Sequence, residues 1–501
     1  MILKPRLQDA QNIGYYLGKI IIGLGVTMAV PLAMGLLAGE LNPSLDFLIA
    51  LEITVSVGLL LTKVCITKKE LTWMQGMIVV ALAWLVATVL GAIPLYLSGH
   101  WLSYLDACFD TMSGLATTGL VLAQDIDHMS LAHNLWRHLI MFIGGQGVVI
   151  VALSFLVKGF SGAFRMYVGE ARDERIHPNV IHTSRFIWLV SLTFLVLGTL
   201  SLGIVGVLGG MQASNAFFHG ICVFMAAFDT GGFAPQSQNI LYYHSFAYEA
   251  VTAVIMLLGA INFRLHYHIW AGNRKEILKN IETIFLFASI LILFSIVAVG
   301  LTQINAYQGA GLLFRKGFYQ LLSAHTGTGF QTIYAAQFIR EWNHVALVAI
   351  IGAMALGGSI CSTTGAIKML RLGIVCKAIT QDIKRIMLPD QAIVIKKFHH
   401  VREVFLNDAL ARSALGITVS YLGLYGVGAA MGMLFGYPFL DALFESTSAA
   451  ANVGLSCGIT TTAMPPALKI TYIIQMWAGR LEFVSVFTLI GFFVAAIKGK
   501  R

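Results

Sequence analysis

The segment SGLATTGL, residues 113–120, places small residues, hydroxyls and two glycines in the middle of a strongly apolar chain. Three later segments repeat the pattern. The four are LATTGL (115–120), FDTGGF (228–233), AHTGTGF (324–330) and AANVGL (450–455), called glycine loops 1 to 4 below. Each has a glycine directly before Leu or Phe, at Gly119, Gly232, Gly329 and Gly454, and these glycines lie 113, 97 and 125 residues apart. Such similar spacing indicates that one structural unit occurs four times.

The composition around these loops is that of a membrane protein. Of the 501 residues, 57% are hydrophobic and only 11% are charged, whereas roughly a quarter are charged in soluble domains. Stretches long enough to cross about 30 Å of hydrocarbon predict ten membrane-spanning helices. They are 14–38, 44–65, 73–97, 132–157, 184–209, 245–268, 281–301, 342–376, 410–434 and 467–497. Basic residues precede the first stretch as in a signal peptide, but its length and the span that follows predict a retained helix.

Basic residues are concentrated in alternate loops. With the N-terminus inside, the predicted cytoplasmic segments are 63–70, 158–183, 264–280, 368–409 and 498–501, and these contain the clusters of Lys and Arg. This positive-inside pattern predicts a multi-pass protein of the inner (plasma) membrane with both termini in the cytoplasm. The net charge of +9 follows from that topology. Because the charge is spread over many loops, it indicates no nucleic-acid partner.

Each glycine loop follows a short helix-like stretch, at 102–114, 214–228, 309–325 and 438–449. If each stretch dips into the membrane and returns, every basic loop stays on one side. Irregular backbone at membrane depth must face protein or water, so the four loops are expected to face a common axis along the membrane normal. Glycine lets carbonyl oxygens point at that axis, and the C-terminal ends of the short helices add partial negative charge. Both features favour a cation stripped of its water. Small-residue helix packing is the alternative for any single cluster.

The sequence therefore predicts an all-α polytopic membrane protein with four units in pseudo-fourfold arrangement around one central pore. Each unit consists of a helix, a pore helix, a filter loop and a second helix. Two additional N-terminal helices occupy residues 1–70. The predicted repeats are 71–160, 161–275, 276–405 and 406–501.

Several motifs resemble those of the Trk/Ktr/HKT superfamily of potassium transporters, most closely the membrane subunit of bacterial Trk-type uptake systems. Besides the glycine loops, the likeness is carried by FDTMSGLATTG (109–119), WRHLIMFIGGQGVVIVAL (136–153), LGAINFRLHY (258–267), GGSICSTTGAIK (357–368) and MWAGRLEF (476–483). The resemblance covers nearly the whole chain. It implies a path for potassium, K+, as the transported ion, with no organic cofactor.

The resemblance also implies which residues coordinate the ion in a selectivity filter. They are Thr117, Thr118, Gly119, Thr230, Gly231, Gly232, Gly327, Thr328, Gly329, Asn452, Val453 and Gly454. In this family, glycine at all four aligned positions is associated with potassium selectivity. Asp229 and His325 are more polar than the family's usual neighbours of these glycines, so we expect a different local field or pH sensitivity.

A gate is expected just below the glycine loops. The stretch 342–376 is too rich in Gly, Ser and Thr at its centre for one continuous helix, and residues 357–365, called the gate segment, are expected to unwind across the path. The candidate gate residues are Gly357, Gly358, Ser359, Ser362, Thr363, Thr364, Gly365 and Arg480. In lipid Arg480 would cost roughly 2.5 to 3.5 kcal/mol, so it is expected to face the pore, with Glu482 as a plausible partner. A kinked packing helix and a purely structural Arg–Glu pair are the alternatives. Ala366 replaces a second glycine of the family's loop.

The residues predict no enzyme active site. The six cysteines form no CxxC pair, and the histidines of RLHYH (264–268) and HH (399–400) lack the helical spacing of a membrane metal site. The chain has no Walker loop. The resemblance implies a homodimer regulated by a separate cytosolic nucleotide-binding ring protein, docked on loops 158–183 and 368–409. A proton- or sodium-coupled potassium symporter, or a carrier of another monovalent cation, remains the alternative function.

Overall fold

The computed structural model describes residues 4–67, 69–147, 166, 180–389 and 396–499. Its α-helices are Leu7–Thr27, Ala29–Ala38, Leu41–Val64, Trp73–Leu97, Tyr104–Leu115, Leu131–Gln146, Val180–Leu208, Ala213–Phe228, Phe246–Ala260, Phe263–Trp270, Glu276–Lys279, Ile281–Gln303, Ala310–Leu313, Tyr319–His325, Ala335–Arg340, His344–Ala355, Met369–Met387, Asp408–Leu434, Phe439–Ala450, Pro466–Arg480 and Val484–Lys498. Asn239–Tyr243 is a 3₁₀ helix, and Phe314–Phe318 is a π turn. Lys397–His400 and Arg402–Phe405 form an antiparallel hairpin that pairs Lys397 with Phe405.

The first two predicted spans stand outside the fourfold arrangement, as the sequence indicates. They pack through glycines: a Cβ added to Gly18 would lie 2.7 Å from the carbonyl oxygen of Gly58. Glu40, between the two spans, accepts hydrogen bonds from Leu131 N and Ala132 N at 2.8 and 3.1 Å. A carboxylate at a helix N-terminus satisfies unpaired N–H groups and stabilises the helix dipole. The N-terminal pair is thereby attached to repeat 1.

Each repeat contains a leading helix, a short helix and a trailing helix. The leading helices are Trp73–Leu97, Val180–Leu208, Ile281–Gln303 and Asp408–Leu434. The short helices occupy Tyr104–Leu115, Ala213–Phe228, the consecutive turns between Ala310 and His325, and Phe439–Ala450. Their ends lie within two residues of the predicted ones. Ser103 begins the first by accepting a hydrogen bond from Asp106 N at 3.2 Å.

Trailing helices are broken in repeats 2, 3 and 4, whereas the sequence predicted a break in repeat 3 only. Phe246–Ala260 and Phe263–Trp270 meet at 100°, and Pro466–Arg480 and Val484–Lys498 meet at 113°. The predicted spans 245–268 and 467–497 therefore each contain a bend that the sequence did not predict. Asn262 starts a new helix by accepting a hydrogen bond from Arg264 N at 2.8 Å. In repeat 4 the backbone of Phe483 has a φ of 72°, which a right-handed helix cannot contain.

Six of the described helical segments are long and apolar enough to cross a membrane, and each of the two bent pairs passes the same test when taken together. These eight segments correspond to eight of the ten predicted spans. Of the two remaining predicted spans, 342–376 is interrupted by residues 356–368, as predicted. The other, 132–157, begins as Leu131–Gln146, and the rest of it, beyond residue 147, lies outside the described residues.

Glycines hold the trailing helices against the ends of the short helices. A Cβ added to Gly144, Gly259 or Gly479 would lie 1.9 Å from the carbonyl oxygen of Leu115, Phe228 or Ala450, respectively. Each of these three carbonyls belongs to the last residue of a short helix. Contact this close is possible only without a side chain, and it fixes where the following glycine loops begin.

Candidate functional site

The four glycine loops contact one another in a closed ring. Each glycine backbone lies against a carbonyl of the next loop, so an added Cβ would come within 1.9 to 2.3 Å of that oxygen. The contacts run from Gly119 to Gly231 O, from Gly232 to Thr328 O, from Gly329 to Val453 O, and from Gly454 back to Thr118 O. The sequence predicted loops facing a common axis, and this cyclic order is the geometry that such a prediction requires.

The backbone conformation is repeated in all four loops. The four glycines have φ values of 95°, 71°, 78° and 89° in chain order. The residues two positions earlier are also left-handed, with φ of 52° at Thr117, 51° at Thr230, 70° at Gly327 and 57° at Asn452. The residue between each pair is not in this region. The four loops therefore share one alternation of backbone conformation.

The loops are enclosed on one side and open on the other. Thr117, Thr118, Thr230, Thr328 and Asn452 are fully buried. On the open side a cavity of about 370 Å³ is lined by the four glycines together with Arg137, Asn239 and neighbouring residues. The short helices end at the loops, so the negative ends of their dipoles point into the ring. The arrangement favours a desolvated cation over an anion.

The gate segment lies against the buried side of the loops. Thr363 Oγ1 donates to the carbonyls of Phe228 and Gly259, both at 3.0 Å, and lies 3.1 Å from Thr230 Oγ1. A Cβ on Gly365 would lie 2.3 Å from Ala451 O. The segment therefore contacts loops 2 and 4. Ala366 adopts a φ of 62°, a conformation in which its side chain is strained.

Arg480 joins the gate segment to two repeats. Its guanidinium donates to Gly144 O at 2.7 Å, to Gly145 O at 3.1 Å, to Thr117 Oγ1 at 3.3 Å, and to Thr363 O. These acceptors belong to repeat 1 and to the gate segment.

The predicted pairing of Arg480 with Glu482 is wrong, because Glu482 forms an ion pair with Arg371 in the first turn of Met369–Met387. Residues two apart do not share a helix face, and here the helix also ends between them.

Two buried charged residues at the gate segment escaped the sequence prediction. Lys368, 3% exposed, donates from Nζ to Thr364 O and to Thr364 Oγ1, the latter at 3.0 Å. Glu282, 1% exposed, accepts from Ile360 N at 2.6 Å and from Asn262 Nδ2 at 3.3 Å. It connects the gate segment to the break in the trailing helix of repeat 2. The available signal was a charge at the boundary of an apolar span, which sequence alone does not distinguish from an interfacial residue.

Asp229 and His325 both bond to neighbouring helices. Gln146 Nε2 donates to Asp229 Oδ1 at 2.8 Å, and His325 Nε2 lies 2.7 Å from Ser289 Oγ. Both side chains are fully buried. Among the described residues, no group of three or more His, Cys, Asp or Glu side chains is suitably arranged for a metal ion.

Comparison with known proteins identifies relatives over nearly the whole chain. The TrkH family, described as cation transport proteins, matches residues 44–494. An uncharacterized cation transporter of Methanocaldococcus jannaschii is 30% identical over 96% of this chain and 95% of its own. The Trk system potassium uptake protein TrkH of Halomonas elongata is 26% identical over 94% of this chain and 96% of its own.

The fold is shared with a solved structure. The crystal structure of the potassium transporter TrkH from Vibrio parahaemolyticus superposes with a TM-score of 0.82, covering 97% of this chain and 99% of that one, at 22% sequence identity. At this identity the likeness establishes the architecture, which is that of a polytopic α-helical membrane protein.

Proposed function

The chain belongs to the TrkH family of cation transport proteins, and on this premise we propose that it carries potassium ions into the cell through the ring of glycine loops. It is a transport protein and not an enzyme. Support for potassium comes from the relatives, since the one from Halomonas elongata is named a potassium uptake protein.

The observation that carries the proposal is the cyclic contact between each glycine and a carbonyl of the next loop. An ion entering the ring must replace its water with oxygens, because an unscreened charge in a low-dielectric medium costs on the order of 20 kcal/mol. Four loops with the same alternation of φ supply backbone oxygens from four directions. In this proposal the twelve predicted filter residues coordinate the ion through their backbone.

Passage is controlled by the gate segment and Arg480 in the same proposal. Thr363 lies within hydrogen-bonding distance of Thr230, and its carbonyl accepts from Arg480, so an ion leaving the ring meets both. A fixed positive charge opposes a cation at close range. Lys368 adds a second positive charge to the same region.

Regulation is proposed to come from a cytosolic partner. The chain is expected to form a homodimer in the inner membrane, with both termini in the cytoplasm, and to bind a nucleotide-binding ring protein through loops 158–183 and 368–409. Residues 158–165, 167–179 and 390–395 of these loops lie outside the described residues. The described part of the second loop includes the hairpin Lys397–Phe405, whose exposed basic residues suit an acidic partner surface.

Coupled transport is the second candidate. Asp229 and His325 are buried within glycine loops 2 and 3, so proton movement coupled to potassium is chemically possible there. Rubidium or potassium flux into proteoliposomes, measured with and without imposed pH and sodium gradients, separates the two modes. A passive path gives flux that follows the potassium gradient alone, whereas a symporter responds to the second gradient. Movement of large organic solutes without potassium would contradict both.

A further inference from the structure

The pore-facing loops are braced differently in repeat 2 than in the other three repeats. Nine positions before each ring glycine the residues are Asp110, Val223, Gln320 and Glu445. The polar three all bond to the residue three positions after the glycine. Leu122 N donates to Asp110 Oδ1 at 2.6 Å, Gln320 Nε2 to Thr332 Oγ1 at 2.9 Å, and Cys457 N to Glu445 Oε2 at 2.9 Å. In repeat 2 the corresponding pair is Val223 and Pro235, which offers neither a polar side chain nor an N–H group.

A second set of braces shows the same exception. Six positions before the glycines the residues are Ser113, Ala226, Ser323 and Ser448. Gly119 N and Gly454 N donate to the hydroxyls of Ser113 and Ser448 at 3.0 Å each, and Ser323 Oγ donates to Phe330 O at 2.8 Å. Ala226 has no hydroxyl. Repeat 2 therefore has apolar residues at both bracing positions.

Asn239 provides a contact to glycine loop 2 from outside its short helix. Its Nδ2 donates to Gly232 O at 3.0 Å, and its Oδ1 accepts from Gln331 N at 3.1 Å and Ile240 N at 2.8 Å. Gln331 follows Gly329 by two positions, so one side chain links the ring glycine of loop 2 to loop 3. Asn239 lines the outer cavity and has a φ of 56°, which asparagine tolerates better than most residues.

From this asymmetry we infer that Asn239 is a positioning residue for ion discrimination, replacing in repeat 2 the side-chain braces of the other repeats. The inference rests on the proposed function, because it assumes that the ring selects the ion. Discrimination between cations of different radius depends on where the carbonyl oxygens are held. Within the Asn239 side chain, Nδ2 holds the carbonyl of Gly232 and Oδ1 holds Gln331 N, so the contact to the carbonyl can be removed while the other is kept.

Two variants separate the hydrogen bonds from the backbone conformation. Asn239→Asp keeps an acceptor for Gln331 N and tolerates positive φ, but it removes the donor to Gly232 O. Asn239→Gly keeps the left-handed backbone and removes both contacts. Gln238→Ala, at the adjacent exposed position, is the matched control. The quantity to measure in proteoliposomes is the ratio of potassium to sodium flux, taken within each variant so that differences in yield cancel.

We expect both Asn239 variants to lower this ratio by about three- to ten-fold, the factor that one net hydrogen bond contributes, with no change in Gln238→Ala. Should Asn239→Asp lose potassium flux altogether, Asn239→Gly carries the test. Unchanged ratios in both Asn239 variants, together with a lowered ratio in Gly232→Ala, would overturn the inference and leave the filter intact. If Gly232→Ala also kept the wild-type ratio, the proposed filter itself would be wrong, and the inference would fall with it.

Discussion

At the scale of single residues, the four ring glycines occupy positions that no other residue can fill without moving a neighbouring loop. The clash is with backbone oxygen, which cannot rotate away as a flexible side chain can. Positive φ adds roughly 1 to 2 kcal/mol of strain for any L-residue with a Cβ. Both effects act on the ring of carbonyl oxygens itself. Substitution of a ring glycine should therefore impair ion discrimination more than it destabilises the fold.

Gly329→Ala is expected to reduce discrimination between potassium and sodium by at least about ten-fold, because its Cβ would lie 1.9 Å from Val453 O. The measurement is the ratio of the two fluxes in proteoliposomes. Gly423→Ala is the control, since no atom lies within 4 Å of a Cβ at that position of the repeat 4 leading helix. Equal ratios in the two variants would remove loop 3 from the filter.

Arg480→Gln is expected to raise potassium flux several-fold. The change removes a fixed positive charge and weakens the bonds from the guanidinium to Gly144 O, Gly145 O and Thr363 O. Flux is measured without the regulatory partner, where a closed gate limits transport. Arg412→Gln, on an exposed face of the repeat 4 leading helix, controls for the loss of one positive charge. Flux at or below the wild-type level would leave Arg480 without a gating role.

At this scale the sequence indicated which loop glycines adopt positive φ, but it did not indicate the ion pairs. A glycine loop that occurs four times can be recognised in the sequence, because the requirement for positive φ depends only on the local backbone. The partner of Glu482 is Arg371, in another repeat, and Lys469 likewise pairs with Asp106 at 2.6 Å. Such pairs depend on which repeats are neighbours in space. Hydropathy and spacing contain no information about that.

At the scale of elements, the gate segment is held by one contact from repeat 2 and one from the leading helix of its own repeat. Ser359 N donates to Ala260 O at 2.9 Å, and Ile360 N donates to Glu282 Oε1 at 2.6 Å. Its two ends are joined by Gly357 N to Ile367 O at 3.0 Å. The segment is thus a short loop that is closed by the hydrogen bond between Gly357 and Ile367. It is attached to other elements at its tip, Ser359 and Ile360, so loss of these attachments would let it move as a unit.

Glu282→Ala tests that attachment. Loss of the acceptor for Ile360 N removes the bond at the tip, and we expect potassium flux to rise by roughly three- to ten-fold, with an unchanged potassium to sodium ratio. Glu276→Ala is the control, because that carboxylate contacts His399 of the antiparallel hairpin at 2.9 Å. Reduced flux, or a changed ratio with no rise in flux, would show that Glu282 does not restrain the gate.

The short helices were predictable to within two residues, whereas the breaks in repeats 2 and 4 were not. A hydropathy profile is an average over a window of residues, so it does not show where the backbone hydrogen bonds of a helix end. Only individual polar residues in the sequence mark these breaks. They are Asn262 inside an apolar run, and Arg480 and Glu482 inside the last predicted span. Asparagine at a predicted helix interior is better explained as the first residue of a new helix.

At the scale of the whole molecule, fourfold repetition explains why the architecture could be predicted while its departures from symmetry could not. Four similar units that each bury one loop must arrange the loops around an axis, since lipid cannot satisfy their backbone. The bends in the trailing helices of repeats 2 and 4 and the contacts of Asn239 lie outside this rule. Each belongs to a single repeat, so repetition in the sequence does not predict it.

Orientation in the membrane is the whole-molecule property that charge predicts, and a native cysteine tests it. Of the six cysteines, Cys376 is exposed, and it lies in Met369–Met387, which begins the predicted cytoplasmic loop 368–409. A membrane-impermeant maleimide should therefore label the protein in inverted vesicles and leave it unlabelled in intact cells. Cys376→Ser should abolish the signal. Gln238→Cys, on the exposed segment beside the outer cavity, should add labelling from the cell exterior. Labelling of Cys376 from outside would reverse the orientation, and potassium entry through the open cavity would then begin from the cytoplasm.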